Sequence, residues 1–419
     1  MNEKSNKAIL VSASLKTEDS SSLKTSLQEL GRLAQTAGLD PVAHIEARRQ
    51  KWDPSTFIGQ GKAEELKQLV MQTGAEIVIF DEELTPAQQR NLEKILGGIT
   101  VSTRTRLIIS IFSGRARTRE GRLQADLAEL SYELTRLTGK GLGMDQQHGM
   151  IGGRGAGEKK KEYDRRTLRD KISELKKKIN EIKKERVVQR AARNSVPLPQ
   201  ISIVGYTNAG KSTFLNTVTN NAHSIYADDK LFATLDPSVK RVKLPSGGEA
   251  LFTDTVGFIQ RLPHQLIAAF RSTLEEIRFS DVILHIHDYS SPDAKLQHEA
   301  VRATLQEIEV QDIPVINVFN KCDAVRDRIK AWAPVSLRPV FISAMTGEGI
   351  PELLLKCEQV LSLRWKEYTE IIPTGKKHLL NFLYSCCMVK KTDYTEQGAA
   401  VTFRATQENY SRLKKHLSE

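Results

Sequence analysis

"ISIVGYTNAGKST", residues 201–213, joins an apolar run to a glycine-bounded turn and then to residues with helical spacing. Gly205, Gly210, Lys211 and Ser212 stand in the order G-x-x-x-x-G-K-[ST], after a predicted strand and before a predicted amphipathic helix. Such glycines let the backbone N–H groups between them turn toward a phosphate chain, and the N-terminus of the following helix favours negative charge at the same point. Lys211 supplies a positive charge at β and γ phosphate oxygens, and Ser212 offers a hydroxyl to magnesium. The nucleotide contacts expected of this loop are Gly205, Tyr206, Thr207, Asn208, Ala209, Gly210, Lys211, Ser212 and Thr213. The stretch therefore sets a P-loop α/β domain at the centre of the chain.

This loop alone does not separate adenine from guanine. "INVFNKCD" (316–323) does, because Asn320, Lys321 and Asp323 form N-K-x-D at a predicted strand end. A carboxylate at Asp323 accepts two hydrogen bonds from the N1–H and exocyclic amine of guanine; adenine lacks that pair of donors, and unmet polar groups are costly. "FISAMTG" (341–347) places Ser343, Ala344 and Met345 where a backbone N–H can meet the guanine carbonyl. In "LFTDTVGFI" (251–259), Asp254 follows an apolar strand and is expected to hold magnesium. Thr255, Val256 and Gly257 come next, and Gly257 is expected to bond the γ-phosphate and release it after hydrolysis. Thr234 in "LFATLDPS" (231–238) is the expected switch threonine on magnesium. Lys211, Thr234 and Gly257 are thus the expected catalytic residues, and Ser212, Thr234 and Asp254 the expected metal ligands. Phe258 stands where Ras-like proteins carry a water-orienting Gln, and it has no polar atom for that task. Low intrinsic hydrolysis, stimulated from outside, is the expectation. Asn208 resembles the Asn that recruits K+ in some partner-stimulated GTPases, or else it satisfies the loop backbone.

Outward from this domain the chain is segmented. "NSVPLPQ" (194–200) carries two prolines and is expected to be a linker. Before it, residues 1–112 alternate predicted strands ("AILVSASL", "DPVAHIEA", "AEIVIFDEE") with predicted helices, the third capped by Thr85 with Pro86 at its first position. That alternation predicts a parallel α/β domain. "FIGQGKAEEL" (57–66) could touch a nucleotide through Gly59, Gly61 and Lys62, and a plain strand-to-helix turn is the expected reading. In 113–194, Leu123, Leu127, Leu130, Leu134 and Leu137 recur at spacings of 4, 3, 4, 3, and Leu168, Ile172, Leu175, Ile179 and Ile182 repeat them. Two such seams joined by one loop predict an antiparallel helical hairpin. Its tip, expected at 138–161, holds eight glycines between Gly139 and Gly157. Residues 195–365 are expected to be the P-loop domain, and 366–419 a small α+β domain with two strands and two helices.

Formal net charge is +11 and the isoelectric point about 9.3, which favours a polyanionic partner. Between Arg115 and Arg193 there are 22 Lys and Arg against 12 Asp and Glu, so one segment carries nearly all the excess. The tip, "GMIGGRGAGEKKKEYDRR" (149–166), is glycine-rich and basic, but Glu158 stands where a P-loop needs Lys. Its expected role is an RNA contact by Gly152, Gly153, Arg154, Gly155, Gly157, Lys159, Lys160, Lys161, Arg165 and Arg166. The glycines would lie against a crowded surface and the cations neutralise phosphates. No apolar run approaches the roughly 20 residues of a membrane span. "MNEKSNKAILVSASL" lacks a secretory core, and the four cysteines have no metal-ligand spacing. The cytoplasm is the expected location.

These motifs resemble those of the HflX family of ribosome-associated GTPases. The residues that carry the resemblance are "GYTNAGKST", "LFATLDPS", "DTVGFI" and "NKCD", preceded by "GGRGAGE" and "DRR", with "LQADLAELSYELTRL" and "FIGQGKAEEL" farther upstream. The resemblance implies a GTPase that binds the large ribosomal subunit with its glycine-rich tip toward the peptidyl-transferase region; a monomer is the expectation. It further implies splitting or rescue of stalled ribosomes under stress, with Mg2+ as cofactor. Ribosome assembly or tRNA modification is the alternative RNA-linked role, and a signalling switch with a protein-binding arm a third. The chain departs from the family's usual residues at Ala156 (Pro), at "KKKEY", 159–163 (Thr-Lys-Leu-Glu-Thr), and at Thr103 (Asp).

Overall fold

The computed structural model describes residues 6–15, 20–138, 156–193, 198–219, 232, 238–259, 261, 275–310, 312–325, 332–363, 365–395 and 398–418. The chain divides into two compact units, the first built on Met1–Ile182 and the second on most of the remainder.

In the first unit, β1 (Lys7–Leu15), β2 (Asp40–Arg49), β3 (Ile77–Phe80) and β4 (Thr100–Thr103) form a parallel sheet in the order β2-β1-β3-β4. The central strand β1 is buried along nearly its whole length, which suits its run of apolar and small residues. Helices α1 (Ser20–Thr36), α2 (Gln60–Thr73) and α3 (Pro86–Ile95) connect the strands. Thr85 and Gln88 make a reciprocal capping box at the start of α3, with Pro86 at its first position. Two elements were not expected from the sequence: β4 itself, and α4 (Arg104–Arg115), which runs through the boundary expected at 112. Thr103 caps α4 by accepting from the Arg106 N–H at 3.4 Å.

Helices α5 (Arg119–Thr138) and α6 (Ala156–Arg193) follow. Leu137 and Leu168 line one cleft, and Leu130 and Leu175 another, seven residues further along each helix in opposite directions. That is antiparallel pairing along the seams. Ile172 and Ile179 are buried on α6, while Arg166, Arg169, Lys171, Lys176 and Lys177 are exposed. The loop expected at 138–161 requires correction: α6 begins at Ala156, so Gly157, Lys159, Lys160 and Lys161 lie in its first turns. The first N–H groups of a helix lack internal partners, so a glycine there weakens it little, and the Glu and Lys residues that follow are good helix formers. Gly152, Gly153, Arg154 and Gly155 lie outside the described residues.

The second unit contains a six-stranded sheet in the order β10-β9-β8-β5-β7-β6. Its strands are β5 (Gln200–Gly205), β6 (Ser238–Lys243), β7 (Glu249–Asp254), β8 (Val282–Asp288), β9 (Val315–Asn320) and β10 (Val340–Phe341), and only β6 runs antiparallel to its neighbour. Helices α7 (Lys211–Val218), α8 (Ala294–Glu307) and α9 (Ile350–Ser362) belong to it. Beyond it, β11 (Lys366–Ile372), β12 (Met388–Thr395) and β13 (Gly398–Ala405) form an antiparallel sheet in the order β11-β13-β12. This sheet and helices α10 (Lys377–Cys386) and α11 (Gln407–Ser418) share a core around Leu383, Val401, Phe403 and Leu413. Two of these strands were expected from the sequence; β11 was not. No helix among the described residues is long and apolar enough to cross a membrane.

Candidate nucleotide site

Parallel strands β5, β7, β8 and β9 end on one edge of the sheet, where ligands of open α/β folds gather. The expected P-loop is the β5–α7 turn. Gly210 sits at φ +91°, and a Cβ there would lie 2.2 Å from Asn320 Nδ2. Lys211 is buried, and its Nζ donates to Gly205 O at 3.2 Å and Tyr206 O at 2.8 Å. Burial lowers its pKa to about 8, with the Asp254 carboxylate pulling the other way. Its ammonium is therefore desolvated but poised for an anion. Asn208 is exposed at φ +61°.

Ser212 Oγ donates to Asp254 Oδ2 at 2.7 Å. A hydroxyl and a buried carboxylate side by side are hard oxygen donors, the set that suits Mg2+. Thr234, the third expected ligand, lies outside the described residues. Thr255 Oγ1 donates to Ile203 O at 2.7 Å, and Val256 is buried, so both hold the strand end. Gly257 has no room for a side chain: a Cβ would lie 2.8 Å from Thr207 Cγ2 and 3.1 Å from Lys211 Nζ.

Phe258 is buried and bonds the P-loop through its backbone: Thr207 N–H donates to Phe258 O at 2.8 Å, and Phe258 N–H to Gly205 O at 3.1 Å. Its ring is core, so Phe258→Ala should cost about 3–5 kcal/mol of stability. Phe258→Leu, which keeps most of the volume, is expected to leave basal GTP hydrolysis within a few-fold of the parent, measured as single-turnover phosphate release. A loss of several orders in a folded Phe258→Leu protein would give the ring a catalytic part.

The base-reading side is built by Asn320. Its Nδ2 donates to Ala209 O at 2.8 Å, and its Oδ1 accepts from the Ala344 N–H at 2.8 Å. Asn320 thus ties the P-loop to the 343–345 turn. The Ala344 N–H, expected to face the guanine carbonyl, is donated to Asn320. Lys321 sits at φ +65° and its Nζ is 2.7 Å from Asp288 Oδ2. Asp323 stands exposed on the 322–324 turn, and Met345 is exposed on the facing turn. Ser343 is fully buried and its Oγ accepts from the Thr346 N–H at 3.1 Å. The turn is fixed by backbone bonds: Cys322 N–H to Ile342 O at 3.2 Å and Ile342 N–H to Phe319 O at 2.9 Å.

Of the other expected contacts, Arg165 is half-buried with its Nη1 3.6 Å from Glu162 Oε2, and Arg166 is exposed on α6. Two polar features were not anticipated from the sequence. Asp288, the anchor of Lys321, is an acidic residue ending an apolar strand. His285, His287 and His298 gather on one face of the same sheet. An H-x-H pair in a strand, followed by a His in the next helix, was the available signal.

Comparison with known proteins agrees along the chain. Residues 24–113 match the family described as GTP-binding GTPase N-terminal, 115–193 its Middle Region, 200–321 the 50S ribosome-binding GTPase and 329–419 the HflX C-terminal domain. A relative from Lacrimispora saccharolytica named GTPase HflX is 43% identical over 408 residues, 97% of this chain and 95% of its own. Its namesake from Escherichia coli is 40% identical over 376 residues, 89% of this chain and 88% of its own. A GTP-binding protein of Sulfolobus solfataricus, solved with GDP, aligns at a TM-score of 0.44 and 22% identity over 85% of this chain and 99% of its own, too low to carry a conclusion.

Proposed function

The chain belongs to the HflX family and is a GTP-hydrolysing enzyme, and from that premise we propose that it binds the large ribosomal subunit and uses its GTP cycle to split or rescue stalled ribosomes under stress. The observation that carries this reading is the two-helix hairpin. Its apolar seam packs on α5, which leaves a row of Arg and Lys on α6 exposed for a polyanion. The matching family's description as a 50S ribosome-binding GTPase points to which polyanion. The four regions drawn from the sequence are retained as the proposed organisation, with the tip now ending where α6 begins.

In the proposed site, Ser212, Asp254 and Thr234 hold Mg2+, which supplies positive charge to the β and γ phosphates. The P-loop N–H groups and Lys211 bind and orient the phosphates, Gly257 admits the γ-phosphate close to the backbone, and Asp323 reads guanine. Asn208 is the proposed K+ ligand, consistent with its exposed side chain. The ratio of hydrolysis rates in K+ and Na+ buffers tests it, and equal rates would remove it. Because Phe258 offers no atom to orient water, stimulation must come from the bound ribosome.

The test is co-sedimentation at saturating non-hydrolysable GTP with mature large subunits, assembly precursors and tRNA, alongside splitting of purified ribosomes. Preference for mature subunits together with splitting is expected; preference for precursors or tRNA would move the function to assembly or modification. Neutralising Lys159, Lys160 and Lys161 together should weaken subunit binding and flatten its log–log salt dependence by roughly 0.7–0.9 for each phosphate no longer neutralised. GTP affinity away from the ribosome should not change. An unaltered salt slope would place the RNA-binding surface elsewhere.

A further inference from the structure

We propose that His285 and His287 of β8 and His298 of α8 form a site for one borderline transition-metal ion, of the Zn2+ class, that clamps α8 to the central sheet. Residues i and i+2 of a strand share a face, so His285 and His287 point the same way, toward the layer where α8 packs on β8. The opposite face of β8 is apolar, with Val282, Leu284 and Ile286 in the main core. One nitrogen from each of the three imidazoles lies within 4.8 Å of the others. The ring centroids are 3.9 Å apart for His285 and His287 and 5.2 Å for each of these to His298.

A strand covered on both faces ordinarily carries apolar residues. Two buried imidazoles there are costly unless their nitrogens find partners. His287 has one: its Nε2 is 3.2 Å from Asn317 Oδ1. Asn317 Nδ2 in turn donates to Leu337 O at 3.2 Å, which fixes the amide with its oxygen toward the histidine. Nε2 must then carry the proton, and Nδ1 keeps its lone pair. This is the outer hydrogen bond that orients metal-binding histidines. His298 Nδ1 is buried with no hydrogen-bond partner among the described residues.

An all-imidazole set selects Zn2+, Co2+, Ni2+ or Cu2+ over Mg2+, which takes oxygen ligands. The site is therefore chemically distinct from the Ser212–Asp254 pair. Phe319 stacks on His287 at 4.5 Å and Trp332 lies tilted beside His298 at 5.2 Å, walling the cluster with apolar surface. The same strand ends at Asp288, the anchor of Lys321, so a metal that stiffens β8 also steadies the turn carrying Asp323.

The experiment uses chelator-treated full-length protein in excess Mg2+, which occupies oxygen sites, with Co2+ as the spectroscopic probe. One equivalent should give the visible absorption of nitrogen-ligated Co2+, Zn2+ should abolish it by displacement, and Zn2+ should raise the melting temperature. His298→Ala should lose both signals, with affinity down at least about a hundredfold. His44→Ala, at an exposed strand position, should keep both. Should His298→Ala melt without cooperativity, His298→Phe preserves a ring among the aromatic neighbours and is judged by the same signals. No Co2+ band in the parent, or a band that survives His298→Phe, would reduce the cluster to packed neutral imidazoles and overturn the proposal.

Discussion

Asp323→Asn is expected to exchange xanthine for guanine as the preferred base, with GTP affinity falling on the order of ten-thousand-fold. The size follows from the chemistry of a site built around hydrogen bonds: Asp323 is exposed in the free protein, but a base seated on it would cover it, and a mismatched ligand is then rejected by 10^4–10^5 (order of magnitude). In the proposed site Asp323 would present two acceptors to the two donors of guanine. Asn replaces one acceptor with a donor, and xanthine offers the complementary carbonyl. The change should be local, because the turn is held by backbone bonds from Cys322 to Ile342 and from Ile342 to Phe319, and by the Lys321–Asp288 pair, none of which uses the Asp323 side chain. Asn320→Ala is the contrast. It cuts the tie between Ala209 and Ala344, so both nucleotides should weaken together. Competition of GTP and XTP against a fluorescent nucleotide on each variant separates the cases. Undiminished GTP affinity in Asp323→Asn would move base recognition to another residue.

The proposed nucleotide site is readable in the sequence because each of its parts is a residue type at a fixed offset from a strand end, and strand ends show as the close of an apolar run. The supporting role of Asn320 was less visible: sequence grouped it with the base contacts, whereas its amide bridges two loops 135 residues apart in the chain, Ala209 and Ala344. The hairpin seams were legible from their 4, 3, 4, 3 spacing, but the tip was drawn too long. At Gly157 a glycine stands in the first turn of α6, where there is little helix yet to break. Strands β4 and β11 failed for different reasons. Four residues after a Gly-Gly pair give β4 almost no pattern. In β11, "KEYTEII" buries only Ile372, so its charged edge reads as loop. The histidine cluster needs the packing of α8 on β8, which no local period records.

Lys211→Ala is expected to lower GTP affinity and hydrolysis at least about a thousandfold while leaving the nucleotide-free protein as stable as its parent, or nearly so. The two halves have separate causes. In the proposed site the bound nucleotide would bring its β and γ phosphates against the ammonium in a water-poor pocket, where charge-assisted hydrogen bonds are strongest. Without it, Lys211 is a buried cation whose ammonium donates to the carbonyls of Gly205 and Tyr206. Its pKa, drawn down to about 8, says that the fold bears a desolvation cost for keeping the charge at pH 7. Truncation gives up two hydrogen bonds and some methylene packing, and it also removes that cost, so the two effects oppose. The nucleotide-dependent part does not cancel. Ligand at a thousand times Kd stabilises the parent by about 4 kcal/mol, and a variant whose Kd has risen to the ligand concentration retains less than about 0.5 kcal/mol of it. Melting curves with and without saturating Mg2+–GTP therefore read both halves at once. The expected pattern is coincident curves for the free proteins and a large upward shift in the parent alone. A steep fall in the melting temperature of the free variant would make Lys211 a pillar of the loop first and a phosphate ligand second, and a full nucleotide shift in the variant would remove it from the site.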